Sequence, residues 1–222
     1  MSTLICCDRD GTINDDCNFY LGRESNWQEH VSILPGVIEG IRQLNAITDS
    51  SFFIITNQPG VAVTIDSFKQ LTEERVKDVN RYINNLLNKE GLKIDGTFYC
   101  PYASREYIEK TESRGWRYDP AYIQEDPFDM KPNIGMIKKA AEALEKELSD
   151  FENIYVIGDR ESDILAALNA GGKGIWVPSP EQIRDKHWQK TKKLKDQYPD
   201  KVYMAEDFPD AAEWIVKDTN QP

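Results

Sequence analysis

The chain has 222 residues, with 27 basic and 38 acidic side chains and a formal net charge of −11. This length suits one large α/β domain, and the acidic balance argues against a nucleic-acid partner, because phosphate backbones bind basic surfaces. A composition of 40% hydrophobic and 29% charged residues, without a long apolar run, is typical of neither a disordered nor a membrane-spanning protein. We therefore expect a cytoplasmic protein, a monomer or weak dimer, with no membrane partner.

Four short apolar runs alternate with segments whose apolar residues recur at helical spacing. The predicted strands are 3–8, 52–56, 154–158 and 174–177. The predicted helices are 36–47, 66–89 with Asp66 as N-cap, 134–148 and 161–170. Continuous apolar runs are typical of strands buried on both faces of a parallel sheet. The alternation predicts an α/β fold, a doubly wound and mainly parallel sheet, in a single domain over residues 1–222.

Two segments lack a clear period. Residues 102–130 are rich in Tyr, Arg and Glu, and we predict a long loop there. Residues 181–201 are dense in charge, and we predict a C-terminal insertion with one solvated helix face. A basic patch that binds a partner is the alternative interpretation of its lysines, which are Lys190, Lys192, Lys193 and Lys195.

The cysteines favour a reducing compartment. They are Cys6, Cys7, Cys17 and Cys100, and no two of them form a C-x-x-C pair. Neighbouring residues on a strand point to opposite faces, so Cys6 and Cys7 are poorly placed to bridge each other. We expect four reduced thiols rather than a disulfide framework.

Two acids follow the first predicted strand. With the strand period of two, Asp8 and Asp10 can face the same side, and Gly11 allows the chain to turn away sharply. Two carboxylates that converge repel each other and are expected to hold a cation or share a proton. A helix cap or a solvated turn would also explain an isolated Asp-Gly pair.

Polar residues follow two further predicted strands. The Thr56 hydroxyl and the Asn57 and Gln58 amides offer hydrogen bonds to an anion. Asp159 with Asp163 could form one wall of a metal site. Turn chemistry or an N-cap would explain each pair alone. Ligands of open α/β sheets bind at the carboxyl ends of the strands, so three such ends together predict a binding site.

The same residues stand in the order of a known motif set. Asp8-Arg9-Asp10-Gly11-Thr12, Thr56, Lys131-Pro132 and Gly158-Asp159 with Asp163 resemble the motifs of the haloacid dehalogenase superfamily of phosphatases. The segments DRDGTIN, ITNQPGVA, FYCPY, KPNIGMI and VIGDRESDILAALNAG are similar to its histidinol-phosphatase and heptose-bisphosphate phosphatase branch. The resemblance implies a Rossmann-like sheet of strand order 3-2-1-4-5 without a large cap domain.

The resemblance also implies a Mg²⁺-dependent phosphatase that works through an aspartyl-phosphate on Asp8. Asp10 would be the general acid and base, with a pKa raised by burial and by other carboxylates, and Lys131 would balance the negative charge. The expected metal ligands are Asp8, Asp10 and Asp159, while Asp163 would orient a metal-bound water or Lys131. Thr56 and Asn57 would hold the phosphoryl oxygens.

Members of this branch usually carry a zinc loop, and this sequence departs from its pattern. Cys100-Pro101 is kept, but Tyr102 replaces a histidine, and no other cysteine lies between Cys100 and Lys131. One thiolate cannot form a closed tetrahedral zinc site, so we predict that the protein binds no zinc. Met130 stands where the relatives place an arginine.

The expected substrate is a small phosphorylated metabolite, a sugar phosphate or a compound like histidinol phosphate. We predict that segment 102–130 binds the part of the substrate beyond the phosphate, through Arg114 and Arg117; a surface arm that packs through its aromatic residues is the alternative. Two other functions remain open. A polynucleotide 3′-phosphatase shares several motifs but fits the acidic charge poorly, and an inactive binding module would not need the intact acidic motifs.

Overall fold

The computed structural model describes residues 2–15, 20–179 and 186–220. Six of its strands form one parallel sheet in the order β3-β2-β1-β6-β7-β8, and β4 pairs with β5 in a separate parallel pair. The strands are β1 (Thr3–Cys7), β2 (Ser50–Asn57), β3 (Gly96–Cys100), β4 (Ala103–Ser104), β5 (Ile123–Gln124), β6 (Asn153–Gly158), β7 (Lys173–Trp176) and β8 (Val202–Met204).

Helices cover both faces of the sheet. They are α1 (Val37–Asn45), α2 (Glu73–Lys89), α3 (Arg105–Thr111), α4 (Gly135–Glu142), α5 (Glu161–Asn169), α6 (Lys186–Gln197) and α7 (Phe208–Thr219). In the described part of the chain, no helix combines the length and the apolar character that crossing a membrane requires.

Strand β1 lies at the centre of the sheet, and every one of its residues is buried. Its side chains alternate between two apolar clusters: Ile5 and Cys7 pack with α1, α2 and α7, whereas Leu4 and Cys6 pack with α4 and α5. Such burial on both faces explains the continuous apolar run in the sequence.

The predicted strand order is confirmed and extended. Among the six strands of the main sheet, numbered along the chain, the observed order is 3-2-1-4-5-6, so β8 adds an edge strand that the sequence did not predict. Only three residues long, β8 offers almost no pattern to read. The connection order reverses between β1 and β6, and ligands of such sheets bind at this point.

Two helix boundaries differ from the prediction. The helix expected over 66–89 begins at Glu73, because Thr72 is extended and its hydroxyl caps the amide of Arg75; Asp66 begins a separate 3-10 turn. The helix expected over 134–148 ends at Glu142, and the chain then turns through Glu145 at φ 57°, in the left-handed region.

Segment 102–130 is not the structureless loop that we predicted. It contains β4, α3 and β5, and the Ser104 hydroxyl caps α3 by accepting from the amide of Tyr107. Partly buried Trp116, Tyr118 and Tyr122 pack on an apolar cluster around Phe68. These tertiary contacts, which have no sequence period, order the segment.

In the charged region 181–201, the described part is mainly α6. Its Lys190, Lys192 and Lys193 are exposed, as expected for a solvated face. Lys195 is half-buried, and its Nζ donates to the Pro199 carbonyl at 2.7 Å. Trp188 and Leu194 pack on a cluster that includes residues of α5 and β7. Cys6, Cys7 and Cys100 are free and buried, while Cys17 lies outside the described residues.

Candidate active site

Two aspartates follow neighbouring strands at the carboxyl edge of the sheet. Asp8 comes directly after β1, and its amide donates to the Ile157 carbonyl at 2.8 Å, which extends the ladder with β6 by one residue. Asp159 comes directly after β6. Because β1 and β6 are adjacent and parallel, both carboxylates lie at the point where the strand order reverses. Asp8 is 5% exposed and Asp159 is fully buried.

Asp163, in the first turn of α5, completes an acidic cluster. Its Oδ2 accepts a hydrogen bond from the Arg160 amide at 3.0 Å. One carboxylate oxygen from each of Asp8, Asp159 and Asp163 lies within 4.8 Å of the others. In the described part of the chain, this is the one such group of acidic, Cys or His side chains.

Lys131 neutralises part of this negative charge. Its Nζ lies 2.7 Å from Asp8 Oδ1 and 2.7 Å from Asp163 Oδ1, and it donates to the Ile55 carbonyl at 3.2 Å. Burial alone would lower the pKa of Lys131, but the Asp163 and Asp8 carboxylates outweigh it and raise this pKa. Lys131 is therefore a fixed ammonium group between two carboxylates.

Asn57, the last residue of β2, positions the backbone of Lys131. The Asn57 Nδ2 donates to the Lys131 carbonyl at 3.0 Å, and the Lys131 amide donates to Asn57 Oδ1 at 3.0 Å. The side-chain amide that we predicted to hold phosphoryl oxygens is thus engaged with the chain at Lys131.

The acidic cluster has more negative charge than Lys131 can balance. In the described structure, neither side-chain oxygen of Asp159 has a hydrogen-bond partner, and Arg160 Nε is 3.8 Å from Asp159 Oδ1. Burial raises the pKa of Asp159 well above its ordinary value and raises that of Asp8 to about 6 despite the nearby Lys131. Buried carboxylates without enough partners are the oxygen ligands that Mg²⁺ prefers, so these residues fit that ion.

Gly11 keeps space open beside Asp159. Its φ of 84° is in the left-handed region, and a Cβ at this position would lie 2.7 Å from Asp159 Oδ2. A side chain at residue 11 would therefore push into the acidic cluster. This steric requirement explains the glycine after the second aspartate more specifically than turn formation does.

Asp10 lies in a different environment from the acidic cluster. Its Oδ1 accepts from Arg9 Nε at 3.1 Å and from Asn14 Nδ2 at 3.3 Å, and its Oδ2 accepts from Arg9 Nη2 at 2.7 Å. Burial would raise the pKa of Asp10, but Arg9, Gln58 and Asn14 outweigh it and lower this pKa. The predicted rise is therefore wrong for this structure, because the nearest charge is a guanidinium and not a carboxylate. Both oxygens are also occupied, unlike those of Asp159, although we had placed Asp10 among the metal ligands.

Thr56 and Gln58 connect β2 to Asp10. The Gln58 Nε2 donates to Asp10 Oδ2 at 2.7 Å and to Thr56 Oγ1 at 2.8 Å, and the Thr56 hydroxyl donates to Asp10 Oδ2 at 3.3 Å. We predicted that the Gln58 amide could bind an anion, but not that it donates to Asp10. The sequence signal for this contact was the position of Gln58, two residues after Thr56 in the polar stretch where β2 ends.

Arg114 and Arg117 are exposed on segment 102–130. The Arg114 guanidinium stacks over the Trp116 ring at 4.8 Å, and the Arg117 carbonyl accepts from the Thr64 amide at 2.9 Å. Thr64 belongs to the stretch that follows β2, so the segment is attached next to the chain that carries Thr56 and Gln58. Their role in substrate binding stays a prediction.

Comparisons with known proteins agree with this geometry. Residues 130–210 match the HAD-hydrolase-like family model. The chain is 35% identical over 168 residues to the D-glycero-beta-D-manno-heptose-1,7-bisphosphate 7-phosphatase of Rhodopseudomonas palustris, covering 76% of this chain and 79% of the relative. It is 30% identical over 214 residues to the D-glycero-D-manno-heptose-1,7-bisphosphate 7-phosphatase of Thermosynechococcus vestitus, covering 94% and 92%.

The chain belongs to the haloacid dehalogenase superfamily. It is a phosphoric monoester hydrolase, as the named relatives are, and the resemblance read from the motifs is confirmed. The crystal structure of the D,D-heptose 1,7-bisphosphate phosphatase from B. bronchiseptica, complexed with magnesium and phosphate, has the same fold. Its TM-score is 0.65 at 22% sequence identity, with 98% of this chain and 99% of that chain covered.

In this haloacid dehalogenase phosphatase, the residues at the positions of the zinc loop lie in apolar surroundings. Cys100 is fully buried, and burial raises the pKa of its thiol to about 11. Tyr102 and Met130 are partly buried against the same cluster as Cys100. A buried protonated thiol among apolar side chains does not fit a zinc site, which needs thiolate or imidazole ligands. The absence of bound zinc stays a prediction.

Proposed function

We propose that this enzyme is a Mg²⁺-dependent phosphatase of a small phosphorylated sugar, with Asp8 as its nucleophile. The observation that carries the proposal is the buried cluster in which Asp8 is fixed by Lys131 beside an Asp159 carboxylate that accepts no hydrogen bond from the described residues. The names of the relatives support a sugar bisphosphate of the heptose 1,7-bisphosphate type as the substrate.

Asp8 and Asp159 would hold the ion, with Asp163 as the third acidic side chain of the cluster. When bound, Mg²⁺ neutralises part of the charge of a phosphate dianion, which would otherwise be repelled by a carboxylate nucleophile. Lys131 contributes a second, permanent positive charge at Asp8 Oδ1.

The proposed reaction has two displacements at phosphorus. A carboxylate oxygen of Asp8 forms a bond to phosphorus while the bond from phosphorus to the sugar oxygen breaks, and Asp10 donates a proton to that oxygen. A water then gives its proton to Asp10 and attacks phosphorus, which breaks the bond to Asp8 and releases phosphate. Thr56, whose hydroxyl is 3.3 Å from Asp10 Oδ2, would hold a phosphoryl oxygen.

Asp10 must carry a proton in the first displacement, although Arg9 and Gln58 favour its ionised form in the free enzyme. A bound phosphate adds negative charge next to Asp10, and negative charge favours the protonated form of a carboxyl. We expect Asp10 to take up its proton as the substrate binds.

A substrate screen tests the proposal. The wild-type enzyme should hydrolyse p-nitrophenyl phosphate with Mg²⁺, lose turnover in EDTA, and favour a sugar bisphosphate over the monophosphates and nucleotides of the same panel. Asp8→Asn should lower kcat by at least about 10⁴-fold. Asp66→Asn is the matched control, because Asp66 is exposed in a 3-10 turn. Turnover by Asp8→Asn at a rate near that of the wild type would contradict the proposal.

A further inference from the structure

Gln58 is a buried polar residue beside Asp10 to which the proposed mechanism gives no role. It is 4% exposed, and its backbone amide donates to the Cys100 carbonyl at 2.7 Å, so β3 fixes the chain at this point. Burial of an amide side chain is unfavourable unless its polar atoms are hydrogen-bonded. The hydrogen-bond partners of the Gln58 side-chain amide therefore indicate its function.

The amide nitrogen of Gln58 contacts two groups of the reacting site at once. It lies 2.7 Å from Asp10 Oδ2 and 2.8 Å from Thr56 Oγ1. A carboxylate only accepts hydrogen bonds, so the nitrogen is the end of the amide that faces Asp10. One side chain thus connects the carboxyl that would transfer the proton with the hydroxyl that would hold the phosphoryl group.

Arg9 holds the same carboxyl through separate hydrogen bonds. Arg9 donates to both carboxyl oxygens through Nε and Nη2, and its Nη1 donates to Asn80 Oδ1 at 2.5 Å. Arg9 is 1% exposed, so this guanidinium has little freedom to move. Arg9 is fixed by Asn80 of α2, and Gln58 is the side chain that connects Asp10 Oδ2 with the Thr56 hydroxyl.

We propose that Gln58 is a positioning residue, which orients the Asp10 carboxyl for proton transfer to the leaving oxygen and aligns it with the Thr56 hydroxyl. The proposal rests on the function proposed above. Gln58 should therefore affect the rate of the first displacement, in which a proton must reach a poor leaving group.

The test compares phenyl phosphate with p-nitrophenyl phosphate at saturating Mg²⁺. The value of kcat/KM reports on the steps up to and including the first displacement. Phenolate is a stronger base than p-nitrophenolate, so its departure depends more on receiving a proton. Gln58→Met should lower kcat/KM for phenyl phosphate by about 10- to 100-fold, the loss expected for one hydrogen bond to a charged group. For p-nitrophenyl phosphate the loss should stay below about threefold.

Gln58→Leu is the second variant, and it removes the amide donor without adding a charge beside Asp10. It should show the same selective loss of kcat/KM for phenyl phosphate. If one of the two Gln58 variants fails to fold, the other still tests the proposal. Gln70→Met is the matched control, because Gln70 is exposed on the same stretch after β2, and both of its kcat/KM values should match the wild type.

A double-mutant cycle separates positioning of Asp10 from a general structural role. In the Asp10→Asn background, Gln58→Met should change kcat/KM for phenyl phosphate by less than about twofold, because the group that it orients no longer transfers a proton. Equal losses for both substrates, or additive losses in the cycle, would overturn the proposal. A wild-type enzyme without Mg²⁺-dependent turnover of p-nitrophenyl phosphate would instead overturn the proposed function.

Discussion

The two aspartates of the first motif have opposite surroundings, although one residue separates them. Asp8 lies with Asp159 and Asp163, and burial raises its pKa to about 6, whereas Arg9 and Gln58 lower the pKa of Asp10. The sequence predicted both acids at one strand end. It could not predict the partners of Asp10, because Gln58 is 48 residues away in the chain, and its contact depends on how β2 ends.

Gly11 supplies a prediction at the residue scale. Gly11→Ala should raise the Mg²⁺ concentration needed for half-maximal activity by at least about tenfold, because the new Cβ would meet Asp159 Oδ2. It should also lower the free energy of unfolding by about 1–3 kcal/mol through its positive φ. Titrations of activity with Mg²⁺ and urea unfolding measure the two effects.

Gly171→Ala is the control for the backbone part of this effect. Gly171 has φ 82°, close to the 84° of Gly11, but a Cβ there would meet nothing within 4 Å. This variant should lose similar backbone stability and keep the Mg²⁺ dependence of the wild type. An unchanged Mg²⁺ dependence in Gly11→Ala as well would show that Asp159 does not hold the ion.

The raised pKa values of Asp8 and Asp159 predict how metal binding depends on pH. Without metal, these carboxyls keep protons that the unfolded chain releases near pH 4. The contribution of Asp8 to stability therefore falls as pH rises from about 4 through about 6, and the raised pKa of Asp159 acts in the same direction. Mg²⁺ must displace the same protons. The increase in Tm caused by Mg²⁺ should therefore be larger at about pH 7.5 than at about pH 5.

Thermal unfolding of the wild type and of Asp159→Asn, with and without Mg²⁺, checks this prediction. The variant should show a smaller increase in Tm at both pH values, because one ligand is lost. An increase in Tm of the wild type that is independent of pH would mean that the ion does not bind to these carboxyls.

At the scale of the elements, the ends of buried strands could be predicted and the ordering of segment 102–130 could not. Strands β1, β2 and β6 each contain a continuous apolar run, and polar residues follow each run, so the sequence marks both the strand and the site. Segment 102–130 depends on distant partners, such as the bridge between Val63 and Tyr118. Propensity and period contain no information about such contacts.

Arg114 and Arg117 of segment 102–130 are predicted to select the substrate. Replacement of both by Ala should reduce the preference for the best sugar phosphate over p-nitrophenyl phosphate by about tenfold or more, while the Mg²⁺ dependence persists. Both guanidinium groups are exposed, and the segment adjoins the chain that follows β2. The ratio of kcat/KM for the two substrates is the measurement.

The control for this double variant is the replacement of Arg42 and Arg81 by Ala, because both are exposed on the outer faces of α1 and α2. That variant should keep the wild-type ratio. If the ratio also survives the loss of Arg114 and Arg117, substrate selection lies elsewhere, and the stretch that follows Asp10 becomes the first region to examine.

For the whole molecule, the order of the strands creates the site. Thr56 follows Asp8 by 48 residues and Asp159 follows Thr56 by 103, and the central position of β1 brings their strand ends together. The order could be predicted from the family resemblance, but the apolar packing around Cys100 needed the structure. There, Cys100, Tyr102 and Met130 belong to one cluster that extends across the sheet.

Metal content provides a prediction for the whole protein. Elemental analysis of the purified enzyme should find much less than about one zinc per chain, since a closed zinc site takes four N or S ligands. Mg²⁺ should restore activity after EDTA treatment, without added zinc. About one tightly held zinc per chain, with loss of stability on its removal, would contradict the role assigned to the apolar cluster.

The covalent intermediate on Asp8 is the most direct test of the account. The enzyme is mixed with substrate and Mg²⁺, stopped during turnover, reduced with borohydride to trap an acyl phosphate, and analysed by peptide mass spectrometry. The predicted result is conversion of Asp8, and of no other acid, to homoserine, only with substrate and Mg²⁺ present, and its loss in Asp8→Asn. Turnover that continues without any modification of Asp8, or with modification of a different carboxyl, would contradict the account.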